Sequence, residues 1–296
     1  ITYAGAHPVF VDVSLKTMGM CPEKLEAFLK ENATRHPDGK TYNNKTGRRF
    51  AAVVPMHTFG HPCEIGRIAE ICENYHIPLV EDAAESIGSF YKGKHTGLFG
   101  KLGAISFNGN KVITTGGGGM ILTDDEELAK RAKHITTTAK LPHRWEYRHD
   151  YTAYNYRLTN LAAALGCGQI EQLDFFIQEK RKLVEKYKAY FADKAEITFF
   201  TEPEDCRSNY WLNAVILKDR NARDEFLQYT NDHGIMTRPI WVLSNKLDMY
   251  RGCQCGDLSN AEWLEDRVVN IPSSVIIKDY YRKISDPQFN PYHNLV

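Results

Sequence analysis

Ile77-Pro78-Leu79-Val80-Glu81-Asp82 is a short continuous apolar run that ends in two carboxylates, and the stretch before it, Glu64 to Tyr75, carries Ile65, Ile68, Ala69 and Cys72 at helical spacing. A run of that kind reads as a strand buried on both faces, and the helix before it makes the pair one βαβ unit. The pattern extends outward in both directions. Upstream, Val9 to Val13 and Ala51 to Pro55 read as strands, and Pro22 to Asn32 reads as a helix with proline in its first turn and Leu25, Phe28 and Leu29 on one face. Downstream, strands from about Gly103 to Phe107 and from Gly119 to Thr123 bracket Lys111, and Asp125 to Ile135 is a helix with acidic residues in its first turn. The class is α/β, with a mostly parallel mixed central sheet flanked by helices.

Two segments depart from this rhythm. Ala33 to Arg49 is polar and basic, and reads as a surface excursion, solvated as charged loops usually are, with approach of its basic residues to a diphosphate as the alternative. Asn160 to about Phe191 reads as one long helical connector. Beyond it, Trp211 to Leu217 is a strand and Ala222 to His233 a helix stopped by Gly234. The chain therefore divides into a large unit over residues 1–175 and, over residues 176–296, the rest of the connector followed by a smaller α+β unit.

Composition narrows the function classes. The 296 residues are 43% hydrophobic and 25% charged, the balance of an ordinary globular protein. Lys plus Arg and Asp plus Glu are 37 each, so no overall basic field favours nucleic acid, and a small molecule is the expected partner. No apolar run reaches membrane-spanning length and the opening residues lack a signal-peptide pattern, which points to the cytoplasm. Seven scattered cysteines suit a reducing compartment, and the Cys253/Cys255 pair lacks the second pair of a structural zinc site, so no metal is expected.

Ligands of open α/β sheets bind beyond the carboxyl ends of the strands, so residues just after each apolar run are candidates. Those positions hold His57, then Glu81, Asp82 and Glu85, then Ser106 and Lys111 ahead of the glycine run Gly116 to Gly119. A loop lysine can form a Schiff base with a carbonyl, a carboxylate can keep a pyridine nitrogen protonated, and a hydroxyl can bind phosphate. Each residue also has an ordinary reading: a solvated lysine, a turn aspartate, a serine bonded to backbone, and glycines needed for positive φ.

Taken in order, Val80-Glu81-Asp82-Ala83-Ala84-Glu85, then Ser106-Phe107 with Lys111 and its glycines, then Tyr154-Asn155-Tyr156-Arg157-Leu158, resemble the DegT/DnrJ/EryC1/StrS family of nucleotide-sugar aminotransferases, as does the opening Tyr3 to Asp12. The resemblance implies the fold type I architecture of aminotransferases dependent on pyridoxal 5'-phosphate. It makes Lys111 the Schiff-base lysine, Asp82 the partner of the pyridine nitrogen and Ser106 a phosphate ligand. Glu85 stands where the family usually has Gln near the cofactor's phenolic oxygen. Asn155 matches a residue that reaches the neighbouring subunit's cofactor phosphate, implying a homodimer with shared active sites, and His149 is expected near that interface.

The resemblance further implies L-glutamate as donor, a ping-pong reaction and a keto sugar as acceptor. Lys111 argues against the family's dehydratase branch, which carries histidine there. The segments His57 to Pro62, Asn108 to Asn110 and Thr237 to Trp241 look most like the branch that aminates UDP-linked 4-keto-6-deoxy-N-acetyl sugars for legionaminic acid and related surface glycans. Arg238, Trp241 and His149 are the expected substrate-binding residues, Arg238 pairing with a diphosphate or donor carboxylate or else held in a structural salt bridge. A sugar 3-aminotransferase and a non-catalytic sugar-nucleotide-binding relative are the alternatives. The first residues match a segment that lies well inside the family's chains, so a fragment is expected, without the Gly-Thr or Gly-Ser loop that holds the cofactor phosphate on a helix N-terminus.

Overall fold

The computed structural model describes residues 1–275; the last part of the expected smaller unit, 276–296, lies outside the described residues. Strand β1 is Val9–Phe10. Helix α1, Pro22–Asn32, starts on its proline and buries Leu25, Phe28 and Leu29, the face read from the sequence. The polar excursion that follows folds back as an antiparallel pair, β2 (Ala33–Arg35) and β3 (Thr41–Asn43), with Thr34 opposite Tyr42. It is not wholly a surface loop: Thr41 and Asn43 are buried, and the Asn43 amide donates to Gln254 Oε1 at 2.8 Å. Hydrophobic periodicity gives no sign of such a polar anchor.

Helix α2, Ile65–Asn74, turns Ile65, Ile68, Ile71 and Cys72 into a core shared with Leu25, Phe28 and Leu29 of α1 and with Val53, Ile77 and Leu79. Strand β4 is only Val80–Asp82, because Pro78 interrupts the donors of the run before it. The expected strand at 51–55 is reduced to two bridges, Val53 with Leu79 and Met56 with Asp82. Hydrogen bonds still join the two segments on either side of Pro55, which has no N–H to give the rung between: Val53 N to Pro78 O, Val80 N to Val53 O, Asp82 N to Pro55 O and His57 N to Asp82 O.

After β4 come a small hairpin, β5 (Phe90–Tyr91) with β6 (Lys94–His95), and then β7, Leu102–Ser106, parallel to β4 with Asp82 opposite Ala104. Strand β8, Gly119–Leu122, runs antiparallel to β7. Gly103 is required where β7 passes the hairpin's exit, since a Cβ there would lie 2.1 Å from Gly97 O. The mixed sheet therefore brings the carboxyl ends of 53–56, β4 and β7, with His57, Asp82 and Ser106, to one edge.

Asp125 caps α3, Glu126–Thr136, by accepting from Glu127 N and Leu128 N. The long connector is two helices, α4 (Asn160–Ile170) and α5 (Leu173–Phe191), separated at Glu171 and Gln172. Strands β9 (Ile197–Phe199) and β10 (Cys206–Arg207) precede β11, Asn213–Leu217. Then follow α6 (Arg220–Asp232), β12 (Arg238–Pro239), β13 (Gln254–Cys255), α7 (Ser259–Glu265) and β14 (Val268–Ile271). Strands β12, β14, β11 and β9 form an antiparallel sheet, and Val184 and Phe199 pack on its buried Val215, Val269 and Ile271. Two strands from this half join the first half instead: β13 runs parallel to β1 and β10 pairs with β5.

Candidate functional site

Lys111 lies in a turn pinned from several sides. Its own amide donates to Asn108 O, Thr115 N to Phe107 O, and the indole of Trp211 to Asn110 O at 2.6 Å. The glycine run serves this turn, with Gly116 and Gly118 at φ of 81° and 87°. The lysine stem is mostly buried, and its Nζ sits between two groups. On one side Glu85 Oε1 is 3.7 Å away, an ion-pair distance and not a hydrogen bond; on the other the Trp211 ring centroid is 3.9 Å away.

Glu85 is 7% exposed, and burial pushes its carboxyl up to about 7 against the opposing pull of the Phe59 amide and Lys111. Asp82, at the end of β4, adds to the rise by like-charge repulsion. The Phe59 N–H donates to Glu85 Oε2 at 2.8 Å. Phe59 is aimed there by a left-handed backbone, φ 58° and ψ 14°, which costs a non-glycine residue about 1–2 kcal/mol. Next to it Gly60, at φ 92°, could not carry a side chain: a Cβ would lie 1.9 Å from Asn209 Oδ1.

Asn209 ties the walls of the site together. Its buried amide donates to Glu85 O at 2.8 Å and Ile87 O at 2.9 Å, and its Oδ1 accepts Trp211 N at 2.8 Å. From the opposite direction, the buried Lys180 ammonium donates to Trp211 O and Ser273 O with no carboxylate among its hydrogen-bond partners, and burial pushes its pKa down to about 8. Trp241 extends the aromatic wall, with its ring 6.5 Å from that of Trp211 and 5.2 Å from that of Phe59.

The neighbouring carboxylates have different fates. On a strand, successive side chains take opposite sides. Glu81 is fully buried and accepts from His57 Nε2 at 3.1 Å and from the amides of Gly97, Phe99 and Gly100. Burial alone would raise its pKa, but the His57 bond and these amides outweigh it and hold the carboxyl below the ordinary range. His57 is taken up by this structural pair and by Cys63 N. Asp82 is half-buried, accepts Ala84 N, and has no ion-pair partner among the described residues.

The other expected site residues lie apart. Ser106 ends β7, with its Oγ accepting Asn108 N at 3.3 Å. Asn155 and His149 lie on an exposed arm after α3, bridged to Thr137 and Lys140, and the His149 ring donates to Thr138 O. Arg238 is exposed on β12, with no ion pair among the described residues. No hydrogen bond, ion pair or ring contact joins Asn155, His149 or Arg238 to Lys111 among the described residues. A groove of about 840 Å³, lined in part by Pro8 to Val11 and Phe50 to Met56, is also elsewhere, and its lining does not include Lys111.

The sequence reading missed Phe59, Asn209 and Trp211 as parts of this site. Trp211 was visible only as the start of an apolar run. The segment 57–62 was singled out, but nothing in it announces the positive φ of Phe59.

The donor set fits pyridoxal phosphate: a shielded primary amine for its aldehyde, an acidic side chain without a counter-ion for its ring nitrogen, and a strand-end hydroxyl for an anion. A family model described as the DegT/DnrJ/EryC1/StrS aminotransferase family matches residues 1–281. GDP-perosamine synthase of Escherichia coli O157:H7 is 35% identical over 273 residues, 92% of this chain and 69% of that protein. GDP-perosamine synthase of Vibrio cholerae is 30% identical, with 92% and 70% covered. The crystal structure of the aminotransferase TlmJ from Streptoalloteichus hindustanus superposes with a TM-score of 0.83 at 27% identity, covering 95% of this chain and 71% of that one. The chain belongs to the DegT/DnrJ/EryC1/StrS aminotransferase family and is a transaminase dependent on pyridoxal phosphate.

Proposed function

We propose that the protein transfers an amino group from L-glutamate to a keto-deoxy nucleotide sugar by a ping-pong reaction in the cytoplasm. The observation that carries this reading is the enclosure of Lys111 Nζ between Glu85 and Trp211, with Asp82 near enough to Glu85 to repel its charge. Bound pyridoxal phosphate supplies an electron sink for the carbon that loses a proton. Lys111 holds the cofactor aldehyde and, once displaced, its Nζ takes the proton from the donor's α-carbon. Asp82 keeps the ring nitrogen protonated, Ser106 binds phosphate, and Glu85 faces the phenolic side. Trp241 and Arg238 line the sugar-nucleotide side, with Arg238 free to pair with a diphosphate.

We assign Asn155 and His149 to the active site of a second copy. The apolar α4 supports a homodimer: none of its residues is buried, and Leu161, Leu165 and Ile170 face outward. The four-stranded sheet of the second half supports a smaller unit beginning near residue 176, and the strands that cross back brace it on the first.

For the sugar, the segments 57–62 and 237–241 favour a UDP-linked 4-keto-6-deoxy-N-acetylhexose on a route to legionaminic acid or a related glycan. Likeness to two GDP-perosamine synthases favours a GDP-linked acceptor instead. The test is to incubate the full-length protein with glutamate and a panel of UDP- and GDP-linked 3-keto and 4-keto sugars, reading amine gain by mass spectrometry. A UDP product selects the first reading and a GDP product the second; bound cofactor with no amination of any sugar would end both.

A further inference from the structure

We propose that Glu85 is the base that removes the ammonium proton from Lys111 before the lysine attacks a carbonyl. The inference rests on the reading of Lys111 as the carbonyl-capturing lysine. A lysine amine is ordinarily protonated at neutral pH, and an ammonium has no lone pair for a carbon. The enclosure of Lys111 sets an indole face and a carboxylate against its Nζ, both of which attract an ammonium. A proton acceptor within reach speeds that step, and in this chain Glu85 Oε1 at 3.7 Å is in that position. Such contacts commonly tighten when the site fills.

The carboxyl is built for this division of labour. Oε2 is fixed by the Phe59 amide and the Glu85 carbonyl by Asn209, which leaves Oε1 toward the lysine. Of the charged groups that act on it besides Lys111, Asp82 repels its charge from the end of β4, while Glu81, nearby in sequence, is bound to His57. Burial places Glu85 at about 7, near working pH, where a general base is most useful. Glutamine at this position could not accept a proton.

The step balances without an outside reagent. The proton passes from Nζ to Oε1, leaving a neutral amine and a carboxylic acid. The nitrogen lone pair forms the bond to carbon while the carbonyl π pair moves to oxygen. The two amine hydrogens then leave with that oxygen as water, Glu85 lending its proton to the departing hydroxyl and regaining one from nitrogen.

The test uses the full-length protein freed of cofactor, with Glu85→Gln and Glu85→Ala variants. Pyridoxal, which lacks phosphate, is the probe: capture is trapped by borohydride and assigned to Lys111 by peptide mass spectrometry across pH 5.5 to 9. We expect both variants to capture about 10²-fold more slowly at neutral pH. Wild type should show an inflection near 7 that Glu85→Gln lacks, and acetate should restore rate to Glu85→Ala alone. Other lysines should label equally in all three proteins, which reports an intact fold. An unchanged or faster rate in Glu85→Gln would overturn the proposal, because Glu85 would then only anchor the ammonium. Failure of acetate rescue in an otherwise evenly labelled Glu85→Ala would count against it in the same way. Should pyridoxal capture behave as expected while no nucleotide sugar is aminated, the base role stands and the proposed function falls.

Discussion

The pocket wall around Lys111 and the arm of residues 139–170 are built by opposite rules. In the wall, Phe59 and Asn209 are fully buried, and the Phe59 N–H and the Asn209 side-chain amide donate to partners in a distant part of the chain, Glu85 and Ile87. In the arm, Trp145, Tyr147, Tyr151, Tyr154 and Tyr156 are exposed, and α4 buries nothing. The same proposed site thus has one part completed inside the chain and another part turned outward. The wall can be rigid because its cost is met by this chain's own packing. The arm acquires its packing only if a second copy covers it.

The largest expected effect concerns the wall's chemical centre. Lys111→Ala should lower single-turnover amination by at least about 10³-fold while the circular dichroism spectrum stays that of wild type. Residual activity near wild type would show that another amine does this work.

The wall's supports should cost stability in proportion to what they leave unpaired. Glu81→Ala strands His57 and three amides, and should lose about 3–5 kcal/mol in denaturant unfolding. The sign with pH follows from the lowered Glu81 pKa: its contribution is present above the ordinary carboxylate value of 4.5 and is lost as pH falls through the lower folded value. Wild type should therefore weaken in that acid range and Glu81→Gln should weaken less. Glu85 has the reverse slope. Its folded pKa is raised from 4.5 to about 7, so stability falls as pH rises between those values, and Glu85→Gln should flatten that decline.

Asn209→Ala removes the partner of two carbonyls and of the Trp211 amide, and should cost roughly 2–3 kcal/mol. It should also quench less of the ring environment around Trp211, visible as a shift in tryptophan emission.

The arm should respond differently. Leu161→Asp, on an exposed helix face, should leave unfolding within about 0.5 kcal/mol for an isolated chain but convert a dimer to monomer in sedimentation. A dimer that survives it places the interface elsewhere. Asn155→Ala should be the mildest, with unfolding unchanged and cofactor affinity reduced only in the assembled dimer. Equal loss of affinity in the monomer would move Asn155 into its own chain's site.

Much of the first half was legible because its signals are local. Helical spacing in α1 and α2 and the apolar run into β4 each depend on neighbours within a turn or a strand, and the structure puts those faces in one core. Boundaries were less legible. The connector split at Glu171 and Gln172, and the strand at 51–55 kept its hydrogen bonds while losing most of its regular pairing. The excursion at 33–49 hid a buried asparagine, since polarity predicts exposure until a partner such as Gln254 arrives from more than 200 residues away.

By itself the sequence determined the α/β alternation, the order of Asp82, Ser106 and Lys111 at strand ends, and the family they resemble, because periodicity and motif spacing are properties of neighbouring residues. Only the tertiary structure decided what each carboxylate does. Glu81, Asp82 and Glu85 lie within five residues, yet one is locked to His57 and backbone amides, one has no ion-pair partner among the described residues, and one is raised by burial to about 7 against Lys111. That difference depends on burial and on partners brought by Phe59, Asn209 and Trp211. The free energy of a charge is set by the atoms around it in space, and those atoms come from the whole chain.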